Sequence, residues 1–200
     1  MIQNLFHRKL GLIFCIGMLG VLWNCKSNEI AAEKKYTSEI STLETFMEEG
    51  AYYVDVEEAF PFNSVATTQV LNSLLLQQTG NNAARIDVSG DGSFIEIQND
   101  SVKGHLPFFG ERRLSGGSYG GRGGSIRFEG ISKDYEKAIN KNKRKLEINF
   151  KTNQNEESTE SYNVSLEIYP SERVNITIVS AFKTIMRYSG RLKPVNVESQ

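Results

Sequence analysis

The sequence predicts a mainly β domain, either an antiparallel sandwich or a curled half-barrel that ends in a four-strand meander. From residue 85 onward, apolar side chains recur at every second position, which is typical of strands with one wet face. Short polar or glycine-containing turns separate these runs, and helical spacing is confined to two segments near the N-terminus. Half-polar strands joined by short turns build antiparallel sheets, and about nine of them exceed one flat sheet.

The first predicted helix covers residues 37–49, because Ile40, Leu43 and Met47 recur at helical spacing and Gly50 can end it. A second helix is predicted over residues 64–79, with Ser64 or Asn63 as its cap. Gly80 can end this helix. Its apolar residues share one face and are expected to enter the core: Ala66, Val70, Leu71, Leu74 and Leu75.

Between the two helices, Tyr52, Val54 and Val56 alternate with polar residues and predict a strand that Pro61 ends. The last four strands, between residues 143 and 192, form the predicted meander. The inward residues of the strands after residue 85 are expected to be Ile86, Val88, Ile95, Ile97, Val102, Leu106, Ile126, Phe128, Leu146, Ile148, Phe150, Tyr162, Val164, Leu166, Ile168, Val174, Ile176, Ile178, Met186 and Tyr188.

The first 24 residues predict a signal peptide of the lipoprotein type. Arg8 and Lys9 precede an uncharged, mostly apolar run over residues 10–23, which is shorter than the roughly 20 residues that span a bilayer. Leu22 and Cys25 have the spacing of a bacterial lipoprotein box, although Trp23 is unusual there. Because Cys15 lies in the leader, Cys25 would be the only thiol of the exported chain, and a lone exported thiol points to a chemical use.

Cys25 is therefore the predicted lipidation site, carrying fatty acyl groups such as palmitate that attach the protein to a membrane. Residues 25–36 are predicted to form a lipid-anchored polar tether, residues 37–194 a single β-rich domain, and residues 195–200 a tail. Lys26, rather than an aspartate, follows the cysteine. By resemblance to sorting in Gram-negative lipoproteins, this favours the outer membrane of the cell envelope, and the sequence does not decide between its periplasmic side and the cell surface.

Composition excludes several classes of function. The net charge of −1 argues against a general nucleic-acid binder. Outside the leader the only histidine is His105, so no histidine-cluster or cysteine-based metal site is expected, and no cofactor is predicted. Residues 103–151 carry twelve basic and five acidic side chains. These charges are either ordinary solvated faces or a patch for an anionic envelope component.

A Leu-Pro-Phe-Phe-Gly motif occupies residues 106–110. Pro107 is expected to end its strand, while Phe108 and Phe109 point to opposite sides of an extended backbone. Gly110 is expected to supply a positive φ. The motif is either a packing corner or part of a ligand or partner surface. The residues predicted for that surface are Phe108, Phe109, Arg112, Arg113 and Arg122.

Together with flanking segments, this motif resembles the family called domain of unknown function 4251 (DUF4251), whose members are bacterial lipoproteins. The supporting segments are Glu-Ala-Phe-Pro at residues 58–61, Arg-Ile-Asp-Val at 85–88, Glu-Arg-Arg at 111–113, Ile-Arg-Phe at 126–128 and Ile-Met-Arg-Tyr-Ser-Gly-Arg at 185–191. The resemblance covers roughly residues 46–193. It implies an exported, antiparallel β-rich domain and supplies no reaction.

Two further motifs suggest other chemistry. Residues 116–120 match G-x-S-x-G around Ser118, so a serine hydrolase acting in the envelope is the alternative function, with His105 as the only candidate base. Residues 87–92 resemble the start of a calcium loop, but Gln98 stands at its twelfth position, and a β-turn explains the same residues. The sequence favours a non-catalytic binding or assembly module whose partner is an anionic envelope component or a protein, and it does not decide between binding and assembly.

Overall fold

The computed structural model describes residues 24–75, 82–112, 125–153 and 160–194. The chain divides into two compact units, residues 1–41 and residues 42–200. Several predicted features lie outside the described residues: residues 1–23 of the signal peptide predicted over residues 1–24, Gly80, Arg113, Ser118, Arg122 and the predicted tail over residues 195–200. The backbone at Cys25 is described, whereas its side chain is not. None of the helices described is long and apolar enough to cross a membrane.

The first helix, α1 (Asn24–Glu49), begins earlier than predicted. Residues 25–36, expected as a tether, are helical because they contain no glycine or proline and are rich in alanine, glutamate and lysine, which favour helices. In the first unit, the helical residues 29–38 are exposed to solvent. The segment is therefore polar, as predicted, but regular.

In the second unit, α1 ends where the sequence predicts. Gly50 adopts a φ of 69°, the left-handed conformation that commonly ends helices. Leu43 is fully buried, and the Tyr52 hydroxyl donates to the Phe46 carbonyl at 2.7 Å. These contacts tie the last turns of the helix to the first strand.

Within the described residues, ten antiparallel strands form one sheet. Their bounds are β1 Ala51–Pro61, β2 Ile86–Asp87, β3 Phe94–Gln98, β4 Ser101–Pro107, β5 Ser125–Ile131, β6 Lys133–Asn140, β7 Lys145–Asn153, β8 Ser161–Ile168, β9 Arg173–Ser180 and β10 Met186–Lys193. The strand order is β5-β4-β3-β1-β10-β9-β8-β7-β6, and β2 pairs with β1. The predicted four-strand meander is β7 to β10.

The sheet curls into a nearly closed barrel. Its end strand β5 approaches β7 from across the sheet, where the rings of Phe128 and Phe150 meet edge to face with centroids 6.1 Å apart. Gly104 leaves the space that the Phe128 ring fills, since a Cβ at that position would overlap the ring. The inward residues predicted from the alternation are buried at the centre. The prediction of a curled antiparallel sheet is confirmed.

The second helix, α2 (Val65–Leu75), follows β1 and confirms the helix predicted from residue 64. Ser64 is its cap, because its hydroxyl accepts the Thr67 backbone N–H at 3.3 Å. Ala66, expected on the core face, is exposed instead. The side chains of Val70, Leu71, Leu74 and Leu75 lie outside what the structure describes.

Candidate functional site

The Leu-Pro-Phe-Phe-Gly motif lies where β4 ends. Leu106 is fully buried in the core, and Pro107 is the last residue of the strand, as predicted. The Tyr188 hydroxyl of β10 donates to the Pro107 carbonyl at 2.7 Å. Burial raises the pKa of Tyr188 above its ordinary value, so this hydroxyl remains a donor. The motif is thereby fixed to the central strand of the sheet.

Phe108 covers a buried ionic network. The Lys183 ammonium lies 5.5 Å from the centre of the Phe108 ring and 2.8 Å from Glu160 Oε2. It also donates to the Tyr162 hydroxyl at 2.7 Å, and Ser180 donates to Glu160 Oε1 at 2.9 Å. Lys183 and Glu160 are each almost fully buried. Their charges therefore compensate each other beneath the motif.

Gly110 is required for a different reason from the one predicted. The expectation of a positive φ is wrong, because Gly110 is not among the glycines with that conformation. A Cβ at Gly110 would instead overlap Thr184 Oγ1 and lie 2.7 Å from the Phe108 ring. The missing side chain permits Glu111 and Thr184 to exchange two hydrogen bonds of 2.9 Å.

The start of α2 is held against the same motif. Asn63 Nδ2 donates to the Phe109 carbonyl at 3.2 Å, and the Ser64 backbone N–H donates to Glu111 Oε1 at 2.8 Å. Hydrogen bonds from Ser64 and Thr67 lower the pKa of Glu111, so its carboxylate is held ionised. Three separate segments thus meet, residues 62–65, 107–112 and 183–185. We name these residues the motif corner.

Three apolar side chains of the motif corner are exposed to solvent. Phe62, Val65 and Ile185 are 66 %, 76 % and 36 % exposed. Arg112 beside them is exposed, whereas Phe108 and Phe109 are half-buried. The structure therefore brings together the predicted residues Phe108, Phe109 and Arg112. Sequence analysis missed Phe62, Val65 and Ile185, since isolated apolar residues beside strand ends carry no periodic signal.

His105, the candidate base of the hydrolase alternative, lies in the middle of β4. It pairs in register with Phe94 and Arg127 and alternates with buried Leu106, so it faces outward beside Lys103 as predicted. Ser118 lies outside the described residues. In the described part of the chain, no group of three or more histidine, cysteine, aspartate or glutamate side chains could hold a metal ion.

The segment that resembles a calcium loop is a turn. The Asp87 carboxylate accepts the Ser89 backbone N–H at 2.9 Å, and this hydrogen bond lowers the pKa of Asp87. Gly90 and Gly92 both have a positive φ, of 80° and 73°. Local backbone geometry accounts for the glycine and aspartate spacing here.

A second polar cluster lies on the outward face of the meander. Lys145 is buried between two glutamates of neighbouring strands, 2.7 Å from Glu147 and 2.5 Å from Glu167. Tyr169 donates to Glu167 at 3.1 Å. The hydrogen bonds from Lys145 lower the pKa of both glutamates. Both carboxylates are ionised and paired with one ammonium, so neither of them can act as a general acid. The cluster is instead suited to holding the two strands together.

These features define an antiparallel β domain built on one curled sheet, with a tightly bonded corner that presents apolar side chains. A family model described as Domain of unknown function (DUF4251) matches residues 34–192, and the chain belongs to this family. The match extends from α1 into β10 and confirms the resemblance drawn from the motif. A search of curated proteins finds no match.

Proposed function

We propose that the protein is a lipoprotein of the cell envelope, anchored in the outer membrane through Cys25, and that its β domain is a non-catalytic binding or assembly module. The motif corner is the proposed contact surface, and an anionic envelope component or a protein is the proposed partner. One observation carries this proposal: hydrogen bonds hold the backbone of the motif corner in place, and apolar side chains are exposed on it.

The support is a set of hydrogen bonds between segments far apart in sequence. Asn63 bonds to Phe109, Ser64 to Glu111, and Tyr188 to Pro107. Such a set fixes the backbone that carries Phe62 and Val65. Exposed apolar side chains that come from neighbouring segments can mark interaction sites. Arg112 adds a cation that favours an anionic partner.

The anchor is supported by the order of signals at the N-terminus. A short basic start and an apolar run precede Cys25, the only cysteine beyond the leader. A single acyl chain binds a membrane marginally, with an association constant of about 10⁴ M⁻¹, so stable attachment needs two or more chains. Lipoproteins of this type carry that number on the modified cysteine. The exposed helical residues 29–38 suit a spacer beside a membrane surface.

The serine hydrolase remains a separate hypothesis for Ser118. None of the observations on the described residues favours it over the binding module. A serine-reactive probe gives a direct outcome: covalent labelling of the wild-type protein that Ser118→Ala abolishes would contradict a non-catalytic module.

Metabolic labelling with a fatty-acid analogue tests the anchor. We expect wild-type protein to be labelled and Cys25→Ala to lose the label, because the thiol is the acceptor atom. Cys15→Ala is the matched control, since it removes the other cysteine and leaves the proposed acceptor intact. Equal labelling of wild type and Cys25→Ala, or no labelling of wild type, would contradict the proposal.

A further inference from the structure

We draw no further inference here: the strongest candidate, the hollow of about 560 Å³ on the outward face of β7 to β9 beside Asp134 and Glu136, is an open sheet face lined mostly by polar side chains, and nothing in the described part of the chain shows what covers it.

Discussion

Lys183 makes a structural contribution that its position in the sequence does not indicate. A lysine within Phe-Lys-Thr is typical of a surface loop, yet its ammonium is buried against Glu160, Tyr162 and the Phe108 ring. Two opposite charges are tolerated in the interior only while both are present, because each alone would be left without water or a partner. The floor of the motif corner therefore depends on an ion pair that no local pattern indicates.

Removing this ammonium should destabilise the domain strongly. We expect Lys183→Met to lower the free energy of unfolding by about 3–5 kcal/mol, because Glu160 is left buried without its partner. Urea denaturation followed by circular dichroism measures the change. Lys103→Met is the control, since Lys103 forms an exposed ion pair with Glu129 at 3.2 Å, and it should cost less than about 1 kcal/mol.

The double variant Lys183→Met with Glu160→Gln distinguishes charge from packing. If the buried charge causes the loss, the double variant regains part of the stability of the wild type. A double variant as unstable as the sum of both single changes would contradict the ionic explanation.

Gly110 is a second residue whose role the sequence alone does not explain. The motif predicts that a glycine is needed at this position, but the reason is the close contact with Thr184 and not the backbone conformation.

At the scale of elements, alternation predicted the strands whose inner faces are apolar. It missed β6 (Lys133–Asn140), because this strand lies at the end of the sheet and is largely charged and exposed. It also began α1 too late, since the polar residues 25–36 lack the apolar spacing used to recognise helices. The spacing of apolar residues indicates which side chains are buried. It therefore does not identify helices or strands that bury little surface.

The ion pairs of Lys145 with Glu147 and Glu167 in the meander make a contribution to stability that depends on pH. Lys145 lowers the pKa of Glu147 and Glu167 in the folded state below the ordinary glutamate value of 4.5. Their stabilisation is therefore complete above that value and is lost as the pH falls through the folded pKa values. Both glutamates are about one-third exposed, so solvent screens part of the effect.

We expect Glu167→Gln to flatten the loss of stability between pH 5 and pH 3 that wild-type protein shows. Urea midpoints at the two pH values measure this difference. Glu136→Gln, an exposed position on β6, is the matched control and should keep the wild-type slope. If the loss of stability between the two pH values is the same in Glu167→Gln as in the wild type, the ion pairs of Lys145 contribute nothing to acid sensitivity.

At the scale of the whole chain, the motif corner arises from topology. β10 returns to pair with β1, which places Phe62 beside Ile185 although 123 residues (185 − 62) separate them. Local patterns predict strands and their faces but not such long-range order, so Phe108, Phe109 and Arg112 could be selected from the sequence while Phe62, Val65 and Ile185 could not. Strand order was the missing information for the site.

The central claim is the proposal that this protein contacts a component of the cell envelope through the motif corner. Photo-crosslinking in living cells tests it most directly, with a photoreactive phenylalanine analogue in place of Phe62 or, as the control, of Ile131. The account predicts adducts with envelope lipid or protein at position 62, few at position 131, and loss of the adducts at position 62 in Cys25→Ala cells. Equal adducts at both positions, or none at position 62, would contradict it.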